Sequence, residues 1–189
     1  MTLLIIGIVT WSLAHLLPSV LPGTRDELVG KLGENRYRGL FALVIIGSLV
    51  LIVLGWRRSV PTALYTPPFA ANPVISMLVL VGLILFFASR APGNIKRFVR
   101  HPQMTGTILW GGAHLLTNGS TRAVALFGGL TLWAIVEILM CNRRDGAWQK
   151  PAPAALKYDV VPVVIGSVTF AAVLYFHRAL FGVPAIPGL

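Results

Sequence analysis

The chain alternates long apolar runs with short polar segments, and the lengths of the runs set the class of protein. A helix that crosses a bilayer needs about 20 predominantly apolar residues, within a range of about 17–25. Six runs come near that length, at 2–21, 38–56, 73–90, 102–117, 121–141 and 160–181. The run at 102–117 is the shortest; Pro102 suits a first helical position, and Thr117-Asn118-Gly119-Ser120 reads as the turn that ends it. The intervening segments are polar and broken by proline, as in Tyr65-Thr66-Pro67-Pro68 and Lys150-Pro151-Ala152-Pro153, and none is long enough to house a soluble domain. The pattern predicts an all-α integral membrane protein: a bundle of about six transmembrane helices forming a single domain over 1–189. Residues 24–38 carry a faint pattern of a short interfacial helix, and Tyr37 and Trp56 bracket the second span as interface aromatics do.

Composition agrees with the pattern, and charge adds an orientation. Hydrophobic residues make up 56% of the chain and charged residues 12%, with a mean hydropathy of +0.78; a soluble chain carries about 25% charged residues. The net charge of +10 would point to nucleic acid in a soluble protein. Single-stranded nucleic acid also asks for aromatics interleaved with the cations, which these loops lack, so no nucleic-acid partner is expected. Of the 16 Lys and Arg residues, twelve fall at 22–38, 90–101 and 142–159, and the other four are Arg57, Arg58, Arg122 and Arg178 on the opposite face. The positive-inside tendency makes the first face cytoplasmic, with both termini on the non-cytoplasmic side of a multi-pass inner-membrane protein. The first apolar run has no basic residues ahead of it and no small-residue cleavage site behind it, so it reads as a retained helix. The lone cysteine, Cys141, excludes an intramolecular disulfide and a cysteine-based metal cluster.

An ionisable side chain inside a spanning helix is costly and marks a candidate functional site. His15 lies in Trp11-Ser12-Leu13-Ala14-His15, and His114 follows Trp110-Gly111-Gly112-Ala113. Each reads either as a structural histidine bonded to its own helix or as a ligand, and paired imidazoles on facing helices are one way to hold haem within a bundle. Gly111 and Gly112 leave room for a neighbouring helix or a flat cofactor. His101, between Arg100 and Pro102 at the cytoplasmic mouth of the fourth run, reads as a headgroup contact or as part of an anion site at a helix start. His15 and His114 sit at depths that differ by roughly 9 Å along their helices, which leaves His101 as the alternative second ligand. Glu137, the one acid within the six runs, reads as a partner for an arginine at the cytoplasmic end or as a carboxylate that orients His15 or His101. His177 reads as interfacial. No phosphate-binding glycine loop, Gly-x-Ser-x-Gly or His-Glu-x-x-His is present.

Several blocks in order carry a family resemblance: His15 followed by Arg25, Leu32-Gly33-Glu34-Asn35-Arg36-Tyr37-Arg38-Gly39-Leu40-Phe41-Ala42, Arg100-His101-Pro102-Gln103-Met104-Thr105-Gly106, Leu109 through Gly119, and Asn142-Arg143-Arg144-Asp145. On these the chain resembles the NnrU family, whose name ties it to nitrite and nitric oxide reduction. The same blocks are similar to the cis-zeta-carotene isomerases of plants and cyanobacteria, membrane enzymes that bind haem b through two histidines. That resemblance implies His15 and His114 as the iron ligands, and the isomerases carry a cysteine where this chain has Gly111; Arg100 and His101, at the helix start, are read from their position as a cofactor-binding pair for an anionic group, either a haem propionate or a lipid phosphate. The block Arg100–Gly106 also resembles isoprenylcysteine-type membrane methyltransferases, whose paired downstream acids are missing here. The expectations are therefore three. The first is a haem b protein supporting denitrification as a redox, sensing or maturation component. The second is a haem-dependent isomerase of a carotenoid or isoprenoid lipid, and the third a cofactor-free assembly or transport protein. The bilayer is an expected partner in all three, and nitric oxide or a hydrophobic small molecule in the first two.

Overall fold

The computed structural model describes residues 1–68 and 73–185. Its helices among these residues are α1 (Thr2–Val20), α2 (Pro22–Leu32), α3 (Glu34–Arg58), α4 (Pro73–Ala88), α5 (Pro102–Thr117), α6 (Thr121–Asp145) and α7 (Lys157–Phe181), with a 3₁₀ turn at Asn94–Arg97. Every apolar run of the sequence is a helix. Four of them, α1, α3, α6 and α7, are long and apolar enough to cross a membrane. The other two, α4 and α5, have 16 residues each, which is about 24 Å of helix against a hydrocarbon core of about 30 Å.

The boundaries depart from the sequence reading where glycine, and not charge, ends a helix. The segment expected as one interfacial helix at 24–38 is cut at Gly33, whose φ of +80° is open to glycine and strained for other residues. Glu34 then starts α3 four residues ahead of the expected span, and its carboxylate pairs with Arg38 one turn on at 2.9 Å. Within α6 the backbone widens to a π turn at Val124–Gly128 before regular helix resumes at Gly129.

The chain folds as two compact units. One comprises Met1–Leu64 and Ser120–Ala147; the other takes Tyr65–Gly119 and continues from Trp148. In the first unit α1 packs against α3 and α6, and small residues set the separations. A Cβ on Gly7 would stand 2.8 Å from Ile52 N and 2.9 Å from Ser48 O, and one on Gly55 would stand 2.5 Å from Leu4 Cα. Lipid is as apolar as leucine, so helices in a bilayer gain from close backbone approach, which glycine permits. Leu4, Ile8 and Ile52 form the core of this contact. Arg122 lies over the Trp56 ring at 4.4 Å.

In the second unit α4 packs on both α5 and α7. Gly82 and Gly106 face each other backbone to backbone, and a Cβ on Gly166 would stand 2.9 Å from Ile84 Cα. The loops are tied below these contacts. The Asn94 amide exchanges hydrogen bonds with the Ala154 backbone, donating to its carbonyl at 2.8 Å and accepting from its N–H at 3.0 Å. Asp159, in the first turn of α7, accepts from Asn94 Nδ2 at 2.7 Å and from the Ile95 N–H at 3.0 Å.

Candidate functional site

His15 and His114 fall in different units, and each is held in the same way. In the first unit His15 Nδ1–H donates to the carbonyl of Trp11 at 2.9 Å. A carbonyl only accepts, so the proton must be on Nδ1 and the lone pair on Nε2. Three aromatic rings wall the imidazole: Trp11 with centroids 4.2 Å apart, Trp133 at 5.2 Å and Phe41 at 5.6 Å. Trp11 and Trp133 meet edge to face, and the indole N–H groups of both are buried without a hydrogen-bond acceptor.

One turn further along α1 stands a polar cluster that links it to α6. Ser19 Oγ donates to Glu137 Oε1 at 2.5 Å, and the Cys141 thiol donates to the same oxygen at 3.4 Å. Glu137 is 7% exposed, and its second oxygen, Oε2, is buried without a donor. Its hydrogen-bonding partner is thus a serine of α1, where the sequence reading offered an arginine or a histidine. Arg144, at the end of α6, donates instead to Asp145 and to the Pro18 carbonyl. The roles of Ser19 and Cys141 were missed from sequence. Cys141 lies four residues from Glu137 on one helix face, a signal that spacing contained; Ser19 needed the packing of α1 on α6. Between α1 and α6 lies an open apolar groove of 330 Å³ whose lining includes Val9, Leu13, Leu16, Leu132 and Trp133.

In the second unit His114 Nδ1–H donates to the Trp110 carbonyl at 2.8 Å, which again places the lone pair on Nε2. The Trp110 ring lies beside it at 5.1 Å. Tyr65 closes the end of α5 by donating its hydroxyl to the carbonyls of Leu115 and Asn118. Of the two glycines expected to leave room before His114, Gly111 is buried, and a Cβ on Gly112 would meet nothing within 4 Å. His101 precedes Pro102 at the start of α5, and its carbonyl accepts from the backbone and the hydroxyl of Thr105. Arg100 and His101 are both half-buried there. The nearby Arg97 has a buried Nε without an acceptor. Among the described residues no group of three or more His, Cys, Asp or Glu side chains converges as it would around a bare metal ion.

These features define the class: an all-helical membrane protein whose ionisable side chains lie within apolar helices, with imidazoles fixed on their own backbone. The family model described as NnrU protein matches residues 3–185, and the chain belongs to the NnrU family. No curated protein and no solved structure matches the chain.

Proposed function

We propose that this NnrU-family protein binds haem b in the inner membrane and supports denitrification or nitric oxide metabolism as a redox, sensing or maturation component. The observation that carries the reading is the shared fixation of His15 and His114. Each imidazole spends its Nδ1–H on a backbone carbonyl one turn earlier, which leaves Nε2 as the metal-binding atom. Histidines that ligate metals are oriented through the other ring nitrogen in this manner. The donor set also suits haem over a bare ion. A bare zinc or copper ion asks for about four protein ligands, whereas the porphyrin brings its own equatorial nitrogens and needs only axial imidazoles. Bound haem would supply one-electron chemistry. In this reading His15 and His114 would each offer Nε2 to iron, and Arg100 and His101 at the start of α5 would hold an anionic group, either a haem propionate or a lipid phosphate. The reading includes six spans with both termini outside. The two 16-residue helices, α4 and α5, then need local thinning of the bilayer or interfacial anchoring at their ends.

The test is the absorption spectrum of protein purified after expression with ample haem. Bis-imidazole iron gives a low-spin spectrum with sharp α and β bands on reduction, and that spectrum should be lost in His114→Ala. Parent protein without haem would sink the reading. A second reading, a haem-dependent isomerase of a carotenoid or isoprenoid lipid, is favoured by the open 330 Å³ apolar groove between α1 and α6. Retention of such a lipid in the purified parent, lost when Leu132→Trp fills the groove, would support it.

A further inference from the structure

The polar cluster between α1 and α6 holds more than its own hydrogen bonds satisfy. The two helices run parallel: Trp11 meets Trp133, and about two turns on Ser19 meets Glu137 and Cys141. Glu137 and Cys141 lie one turn apart on α6, with Ser19 opposite both on α1. The three side chains close a triangle. Ser19 Oγ lies 2.5 Å from Glu137 Oε1 and 3.5 Å from Cys141 Sγ, and Cys141 Sγ lies 3.4 Å from the same carboxyl oxygen. Both donors therefore go to Oε1. The other oxygen, Oε2, is buried without a donor, on a side chain only 7% exposed. A buried acid in an apolar helix is stabilised by a positive charge beside it. The guanidinium at the end of α6, Arg144, is directed instead to Asp145 and the Pro18 carbonyl.

The donor atoms name the cation. Calcium and magnesium ask for all-oxygen shells, whereas a thiolate beside a carboxylate suits zinc and its neighbours. Zinc holds cysteine sulfur at about 2.3 Å and carboxylate oxygen at about 2.0–2.2 Å, so the edges of its ligand tetrahedron are roughly 3.3–3.6 Å. Two sides of the triangle already have that length. The third is the Ser19–Glu137 hydrogen bond, which must open by roughly 1 Å to match. One thiolate and one carboxylate also neutralise a doubly charged ion, so the filled site carries no net charge into the apolar span. Ser19 is the last residue but one of α1, and Cys141 is half-buried one turn before the end of α6, which gives the ion a route from the helix ends.

We propose that Ser19, Glu137 and Cys141 bind a divalent transition-metal ion of the zinc class. Only two of these side chains are of the His, Cys, Asp or Glu kind, and the serine hydroxyl completes the set. The four donor atoms are both carboxyl oxygens of Glu137, Cys141 Sγ and Ser19 Oγ. Binding replaces the thiol S–H bond with a sulfur–metal bond; the proton leaves to solvent and no electron moves. The site shares no ligand with His15 or His114 and stands or falls apart from haem. The experiment takes the full-length protein, stripped with a chelator, and titrates it with cadmium and then with zinc. Cys141 is the one cysteine of the chain, so a thiolate-to-cadmium absorption band in the ultraviolet reports this site alone. The parent band should saturate at one ion per chain, and zinc should displace the cadmium. Glu137→Gln, which keeps an acceptor for Ser19, should weaken binding by roughly 100-fold or more. Cys141→Ser should abolish the band, and zinc should raise Tm in the parent and in neither variant. No band in the parent, or undiminished affinity in Glu137→Gln, overturns the proposal. Equal zinc binding by the parent and Cys141→Ser overturns it too, since that marks an adventitious ion on the histidines.

Discussion

Gly55→Ala is the smallest change with the largest expected effect on the first unit. A methyl group at that position would stand 2.5 Å from Leu4 Cα and closer still to Leu4 N. Carbon atoms in van der Waals contact prefer about 3.5–4.0 Å, so α1 and α3 must separate by about 1 Å. No rotamer change relieves this, because the atoms met are backbone. Leu4 is fully buried, and any separation loosens its contacts with Ile52 and those of Ile8 in the same cluster. Overpacking a tight core costs about 1–3 kcal/mol, and a clash against backbone belongs at the upper end. For a chain of this size each kcal/mol lowers Tm by about 2–4 °C. The control lies two turns earlier on the same helix: a Cβ on Gly47 meets nothing within 4 Å, so Gly47→Ala should leave Tm unchanged or raise it slightly. The assay is thermal unfolding of both variants in one mild detergent. Equal stability of Gly55→Ala and Gly47→Ala would refute the close α1–α3 contact.

The remaining predictions concern topology, the polar cluster and the start of α5. Reporter fusions after Ser120 and at the C-terminus should behave as periplasmic and those at Gly93 and Lys150 as cytoplasmic; the same location for Ser120 and Gly93 would mean that α5 does not span. Ser19→Ala leaves the buried Glu137 carboxyl without its closest donor and should cost about 1–3 kcal/mol. Adding Glu137→Leu should recover much of that loss, and additive losses in a double-mutant cycle would show that the two do not interact. Arg100→Ala should insert normally and lose haem faster than the parent when challenged with an apo-globin acceptor; equal retention would make the residue topogenic only.

The apolar runs located every helix but α2, because a bilayer demands continuous apolar segments with all backbone groups bonded internally. The histidines and Glu137 stood out for the same reason, since an ionisable group in such a run is rare. Those inferences need only composition over a window and the cost of desolvation. Sequence did not show that α3 begins at Glu34, because the break depends on the positive φ of Gly33, a backbone choice that a hydropathy window averages away. It also could not reveal that Ser19 is the partner of Glu137, since the bond joins residues 118 apart in the chain.

What the sequence by itself determined, then, is the class of protein, the apolar helices and the short roster of polar groups inside them. Partnership was decided only by the tertiary structure. Gly82 and Gly106 lie in separate apolar runs of the chain and meet backbone to backbone only where α4 packs on α5, as Gly166 meets α4 at Ile84. Hydropathy fixes how deep a residue sits in its own helix. Which faces meet is fixed by where side chains are small enough for backbones to touch, and that complementarity belongs to pairs of helices.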